Sequence, residues 1–163
     1  VNTLHNLGGV LAAQGQRESA ISYFRQALTI RPSYHEARLN MANELVRKNQ
    51  FTDAKAEAAR VIEVKDKLPS FKKNILPNAY NLMGAILLYE KDPQNAALQL
   101  ERAIALKPNF AEAYNNLAMA YKSINQPSKA SSAYRMVLKH WKGDPAYLGS
   151  VRQQISILDG ETK

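Results

Sequence analysis

The fold is decided by the first stretch of the chain, residues 1–34, which reads VNTLHNLGGVLAAQGQRESAISYFRQALTIRPSY. The same pattern of apolar and small residues returns at 35–68, 77–110 and 111–144. The last two segments begin 34 residues apart, whereas the step from the second to the third is 42. A period of this length is typical of repeat architectures, in which each repeat is one supersecondary unit.

Two aligned columns in these segments carry small residues. The first of these columns consists of Gly8, Ala42, Gly84 and Ala118, each directly after a large apolar residue, namely Leu7, Met41, Met83 and Leu117. The second consists of Ala20, Ala54, Ala96 and Ala130. Within each segment the apolar columns fall three or four residues apart, which places them on one face of a helix. Small residues let two helices approach closely, so the sequence predicts pairs of helices of about 14 residues joined by short turns.

Capping signals mark several helix starts. Ser33 and Glu36 have the spacing of a capping box. Asp92 and Asp144 each precede a proline, which suits an N-cap followed by a first helical residue that needs no N–H donor. We therefore expect helices to begin near these positions.

Two segments lie outside the repeat pattern. Residues 69–76 are extra, and we interpret them as a longer surface loop, with a basic docking segment or hinge as the alternative. Residues 145–158 carry apolar side chains at helical spacing, namely Leu148, Val151, Ile155 and Leu158. They predict a helix that covers the last repeat. The expected organisation is one domain over 1–158 and a tail at 159–163.

The 34-residue period and the apolar columns resemble the tetratricopeptide repeat over about residues 1–142. The first segment carries the pattern in Leu4, Leu7, Gly8, Leu11, Ala20, Phe24, Ala27 and Pro32. The second departs from it, with Arg38, Ala58 and Asp66 in the corresponding columns. The resemblance implies an all-α, right-handed superhelical solenoid of antiparallel helix pairs with a C-terminal capping helix.

The same resemblance implies that the first helix of each repeat lines a concave groove. The helix residues outside the packing columns are then the expected peptide-binding residues: Asn2, His5, Asn6, Leu39, Asn40, Asn43, Arg47, Asn78, Asn81, Tyr89, Asn115, Asn116, Met119 and Lys122. A carboxylate clamp of the chaperone-binding type is not expected, because His5, Gly9, Asn78 and Leu82 stand at its basic and amide positions.

Asparagine dominates this predicted surface. Asn6, Asn40 and Asn116 share one column, and an amide both donates and accepts, so a row of them can pair with the peptide groups of an extended chain. This resembles the asparagine ladder of O-linked N-acetylglucosamine transferases. Asparagine in this column also occurs in repeats without such a role, so both interpretations stay open.

Composition excludes several other functions. The chain has 163 residues, no cysteine and a net charge of +8 that is spread along its length, which favours a solvated basic surface over a nucleic-acid footprint. No apolar stretch approaches the roughly 20 residues of a membrane span. The histidines, His5, His35 and His140, have no partner at ligand spacing, and no catalytic motif occurs. We expect neither catalysis nor a metal or cofactor.

The sequence thus favours a non-catalytic module that binds an extended or partly helical peptide of another protein. One alternative is an assembly scaffold that self-associates through the N-terminal helix, whose outer apolar face has no covering element before Val1; upstream repeats would also cover it. A second alternative is the partner-recruiting part of a longer enzyme, such as a glycosyltransferase. RNA binding has the least support, because basic residues are sparse in the predicted groove.

Overall fold

A computed structural model describes residues 1–65 and 74–161. Over these ranges the chain forms nine α-helices and no strand. The helices are α1 Asn2–Ala13, α2 Arg17–Ile30, α3 His35–Arg47, α4 Phe51–Glu63, α5 Leu76–Tyr89, α6 Pro93–Leu106, α7 Ala111–Ser123, α8 Pro127–His140 and α9 Tyr147–Glu161. The predicted insertion at 69–76 lies largely outside the described residues, and its last residue already belongs to α5.

The chain divides into two compact units, Val1–Leu82 and Met83–Lys163, here called the N-terminal and C-terminal units. In the N-terminal unit α2 packs on both α1 and α3, and α3 packs on α4. In the C-terminal unit α7 packs on both α6 and α8, and α8 packs on α9. The first eight helices form four pairs that match the predicted repeat segments, except that α5 begins at Leu76, one residue before the segment 77–110. The segment boundaries remain a proposal.

The turn between the two helices has the same backbone conformation in all four helix pairs. Its residues with positive φ are Gly15 (76°), Asn49 (60°), Lys91 (61°) and Asn125 (55°). The residue after each of these donates its backbone N–H to a carbonyl oxygen five residues earlier, at 2.9 Å in all four turns. This bond is the hallmark of a Schellman motif, which satisfies carbonyls at the end of the first helix.

Close packing within a pair depends on one small residue facing one large one. A Cβ built on Gly8 would lie 2.7 Å from the Phe24 ring, and one built on Gly84 would lie 2.5 Å from Leu100. Both distances are shorter than side-chain carbons tolerate, so glycine sets how closely α1 approaches α2 and α5 approaches α6. Phe24 and Leu100 are fully buried as a result.

The second helix pair uses a polar contact where the other repeats place an apolar residue. Arg38 donates to Glu57 at 2.5 Å and to the Pro32 carbonyl oxygen at 2.8 Å. Both side chains of the Arg38–Glu57 pair are largely shielded from solvent. This ion pair joins α3 to α4, while Ala58 occupies the column of Phe24.

The predicted helix starts are partly wrong. The capping box of Ser33 and Glu36 does not form, because the N-cap of α3 is Tyr34, one residue later, and no side chain caps that end. Asp92 is confirmed as an N-cap, since its Oδ1 accepts from the Asn95 backbone N–H at 3.3 Å. Asp144 instead accepts from the Ala146 N–H at 2.8 Å in a turn.

The last helix therefore begins at Tyr147, two residues after the predicted start, and extends to Glu161, beyond the predicted end. The cause is a tight turn, in which Tyr147 N–H donates to Asp144 and Leu148 N–H to Pro145 before α-helical bonding begins. As expected, this helix covers α8. It buries Val151, Ile155 and Leu158 in the same core cluster as Tyr134 and Val137.

Candidate functional site

The first helix of each pair, here called helix A, carries the predicted binding residues. In the N-terminal unit a histidine joins two of these helices. The Asn40 side-chain amide donates to His5 Nε2 at 2.9 Å, and the Tyr34 hydroxyl lies 3.1 Å from His5 Nδ1. This arrangement fits a neutral imidazole that carries its proton on Nδ1 and donates it to the Tyr34 oxygen.

Aromatic contacts fix the His5 ring further. Its centroid lies 4.9 Å from that of Tyr34 and 5.8 Å from that of Phe24, in tilted geometries. His5 is thus a positioning residue between α1 and α3. It holds one N–H of the Asn40 amide and leaves the amide oxygen available to another donor.

A hollow of about 360 Å³ opens beside this contact. Its lining consists of Gly9, Ala12, Phe24, Asn40, Asn43, Glu44 and Arg47. A Cβ built on Gly9 would meet no atom within 4 Å, so the missing side chain leaves space that no other part of the described chain fills. We call this feature the Gly9 hollow.

The buried carboxylate of Glu44 lines the Gly9 hollow. Glu44 is 4% exposed and lies between two guanidinium groups, 3.8 Å from Arg17 Nε and 3.6 Å from Arg47 Nη1. Arg47 has 59% of its side chain exposed. Because a buried charge needs compensation, Glu44 balances one of these cations, and the other remains as excess positive charge near the hollow.

In the C-terminal unit, two predicted binding residues contact the capping helix instead of standing free. Asn115 Oδ1 accepts from the Tyr147 hydroxyl at 2.5 Å, and Lys122 Nζ donates to Gln154 Oε1 at 2.8 Å. Burial raises the pKa of Tyr147, so the phenol stays protonated and can donate. These contacts tie α7 to α9.

The predicted binding residues differ in how exposed their side chains are to solvent. Exposed are Asn2, Asn6, Asn40, Asn43, Arg47, Asn78, Tyr89, Met119 and Lys122; half-buried are His5, Asn81, Asn115 and Asn116. Leu39 is only 5% exposed and packs in the core, so it presents little surface to a ligand. The structure brings Asn40, Asn43 and Arg47 together around the Gly9 hollow.

Besides Gly9 itself, three residues of the hollow lie outside the predicted set of binding residues: Ala12, Phe24 and Glu44. One signal was present for Glu44. It is the only charged member of a column that otherwise contains Val10, Ile86 and Ala120. A charged residue in a buried apolar column indicates a local polar site, as the flanking arginines show.

The described residues contain neither a group of side chains suited to a metal ion nor a membrane-spanning helix. Over residues 1–65 and 74–161, no three His, Asp or Glu side chains are grouped so as to hold a metal ion. No helix in those ranges has both the length and the apolar character to cross a bilayer.

Comparison with known proteins confirms the resemblance seen in the sequence. The family model described as Tetratricopeptide repeat matches residues 11–72 and 87–155. The crystal structure of MamA is similar with a TM-score of 0.76 and 22% identity, covering 95% of this chain and 84% of that one. YrrB, described as a TPR protein with an unusual peptide-binding site, has a TM-score of 0.71 and 19% identity, covering 98% of this chain and 76% of that one.

Among curated proteins, the chain is similar to Protein O-mannosyl-transferase TMTC3 of Mus musculus, with 27% identity over 142 residues. The match covers 83% of this chain but only 15% of the transferase. Helical content, family match and structural likeness agree on an all-α helical solenoid of repeats. The chain belongs to the tetratricopeptide repeat family.

Proposed function

We propose that this chain binds an extended or partly helical segment of another protein on the exposed faces of its A helices. The observation that carries the proposal is the open, amide-lined Gly9 hollow of the N-terminal unit, where Asn40, Asn43 and Arg47 meet. The tetratricopeptide fold supports a protein-interaction module in general. Our proposal adds that binding takes place on the exposed faces of the A helices.

The chemistry of this face suits peptide backbone. The Asn6 and Asn43 side chains are exposed, and neither side-chain amide has a hydrogen bond to another described residue. Asn40 is already oriented by His5, so its oxygen is available to a peptide N–H without further ordering of the side chain. Each amide contact contributes about 0.5 to 1.5 kcal/mol net, so several must act together for useful affinity.

The comparisons support this proposal at a coarser level. YrrB is described as having a peptide-binding site, and its fold is that of the present chain. TMTC3 is an O-mannosyl-transferase in which the match covers a small fraction of the length. That relation suits the alternative in which this chain recruits partners for a longer enzyme, and the binding face would be the same.

A peptide-display selection tests the proposal. Immobilised wild-type chain and the variant Asn6→Ala/Asn40→Ala/Asn116→Ala are each exposed to a library of random 12-residue peptides, and circular dichroism checks that the variant folds. We expect wild type to enrich peptides that the variant binds at least about tenfold more weakly. The matched control is Gln26→Ala/Gln94→Ala, which removes exposed amides from α2 and α6. Equal binding by wild type and the triple variant would refute the proposal.

One observation favours a second function, assembly through the end of the N-terminal unit. Leu7 and Val10 are 40% and 53% exposed. Their counterparts in the later repeats, Met41, Glu44, Met83, Ile86, Leu117 and Ala120, are all at most 9% exposed. Only the first repeat leaves these two columns uncovered, and apolar surface of this kind favours association.

A further inference from the structure

We infer that the Gly9 hollow is a subsite for an aspartate or glutamate side chain of the bound segment, and that Arg47 is its specificity-determining residue. This inference rests on the proposed peptide binding. It adds the chemistry that the partner must present at one position.

The Gly9 hollow has room for an inserted side chain. Glycine at position 9 has no packing role, since a Cβ there would touch nothing within 4 Å. The same column carries Asn43, Ala85 and Met119 in the later repeats. The lining includes the apolar side chains of Ala12 and Phe24, which can contact the methylene groups of an inserted side chain.

The charges around the hollow favour an acidic side chain. Among the described residues that line the hollow, Glu44 is the only acidic one, and it is buried and already flanked by Arg17 and Arg47. The exposed charge at the rim is therefore the Arg47 guanidinium. A lysine or arginine of the partner would be repelled there, and the net charge of +8 on the chain adds a long-range attraction for acidic segments.

Arg47 and Asn43 present hydrogen-bond donors at the hollow. Arg47 makes no side-chain hydrogen bond to another described residue, and its ion pair with Glu44 is long at 3.6 Å. Its N–H groups can therefore grip a carboxylate in bidentate fashion, and the nearby Asn43 amide can donate to the same group. A neutral apolar side chain in the hollow would leave these donors without acceptors, at a free-energy cost.

A charge-reversal selection tests the inference with the same library of random 12-residue peptides. Wild type should enrich peptides with Asp or Glu at one fixed position, and replacing that residue by Ala should weaken binding about tenfold. The variant Arg47→Glu should select Lys or Arg at that position. Enriched peptides without an acidic preference, or an unchanged preference with Arg47→Glu, overturn the subsite while peptide binding stands. If wild type enriches no peptide, both claims fail.

A filled hollow provides the second test. Gly9→Met introduces the residue that the fourth repeat carries in this column, and it should weaken binding of a selected acidic peptide about tenfold without lowering the unfolding midpoint. Gly149→Met in α9 is the matched control, because a Cβ there also meets nothing within 4 Å. The control should bind like wild type. Wild-type affinity in Gly9→Met would overturn the inference.

Discussion

His5 shows what happens to polar residues on the A helices. Its two ring nitrogens are used by Tyr34 and Asn40, and its ring packs against Phe24, so it organises the face without standing free on it. Asn115 is likewise held by Tyr147. The proposed binding face therefore consists of side chains that hold helices together and of side chains, such as Asn43 and Arg47, that remain exposed.

Tyr121 allows a pH test. Burial, the hydrogen bond to Glu101 and the charge of Glu101 together raise the pKa of Tyr121 from 10.0 to about 12. Because the folded-state pKa lies above the unfolded value, the folded chain holds this proton more tightly. The stability contribution is complete below pH 10 and is lost as pH rises towards about 12.

The measurement is a phenolate absorbance titration of the folded wild type and of Tyr121→Phe. The difference between the two curves should show one phenol that ionises near pH 12, and Glu101→Gln should shift that phenol to lower pH. A Tyr121 transition near pH 10 in the folded chain would contradict the Glu101 contact.

Two adjacent glycines of α1, Gly8 and Gly9, give a matched test of how α1 packs on α2. Gly8→Ala forces a Cβ to within 2.7 Å of the buried Phe24 ring. Overpacking of this kind should outweigh the gain in helix propensity and lower the free energy of unfolding by about 1 to 2 kcal/mol. Gly9→Ala meets no atom and should raise it by up to about 1 kcal/mol. Chemical denaturation measures both, and equal effects at the two positions would contradict the proposed packing.

The capping helix offers a second matched pair. Leu158 is 1% exposed in the core between α8 and α9, whereas the neighbouring Ile157 is 46% exposed. Leu158→Ala should cost about 2 to 5 kcal/mol in denaturant unfolding, because it leaves a cavity. Ile157→Ala should stay within about 0.5 kcal/mol of wild type. Similar losses from both would mean that α9 does not pack as described.

The sequence predicts these elements well and the site less well, for a physical reason. Small residues in columns such as those of Gly8 and Ala20 allow two helices to pack closely. Every repeat of this period needs that close packing, so these columns can be recognised in the sequence. The partners of Asn115 and Glu44 depend on which side chains a neighbouring helix brings close. Nothing in the spacing of Asn115 and Asn116 indicates that a tyrosine 31 or 32 residues later binds one of them.

For the molecule as a whole, the exposed Leu7 and Val10 predict concentration-dependent association. Static light scattering should show a molar mass that rises above 18.2 kDa with concentration. Leu7→Glu/Val10→Glu should remain monomeric, because charge opposes burial of that surface. A control pair on another exposed apolar surface is Leu98→Glu/Leu106→Glu in α6. A strictly monomeric wild type would remove the scaffold alternative.

Side-chain amide signals in a two-dimensional ¹⁵N NMR titration show whether a partner binds to the A-helix faces. A 12-residue peptide from the display selection is added to labelled wild-type chain. We predict that the amide signals of Asn6, Asn40 and Asn43 shift together, while those of Gln26 and Gln94 on α2 and α6 stay in place. Shifts confined to Gln26 and Gln94, with the three asparagines unmoved, would place the peptide on α2 and α6 and refute binding on the A helices.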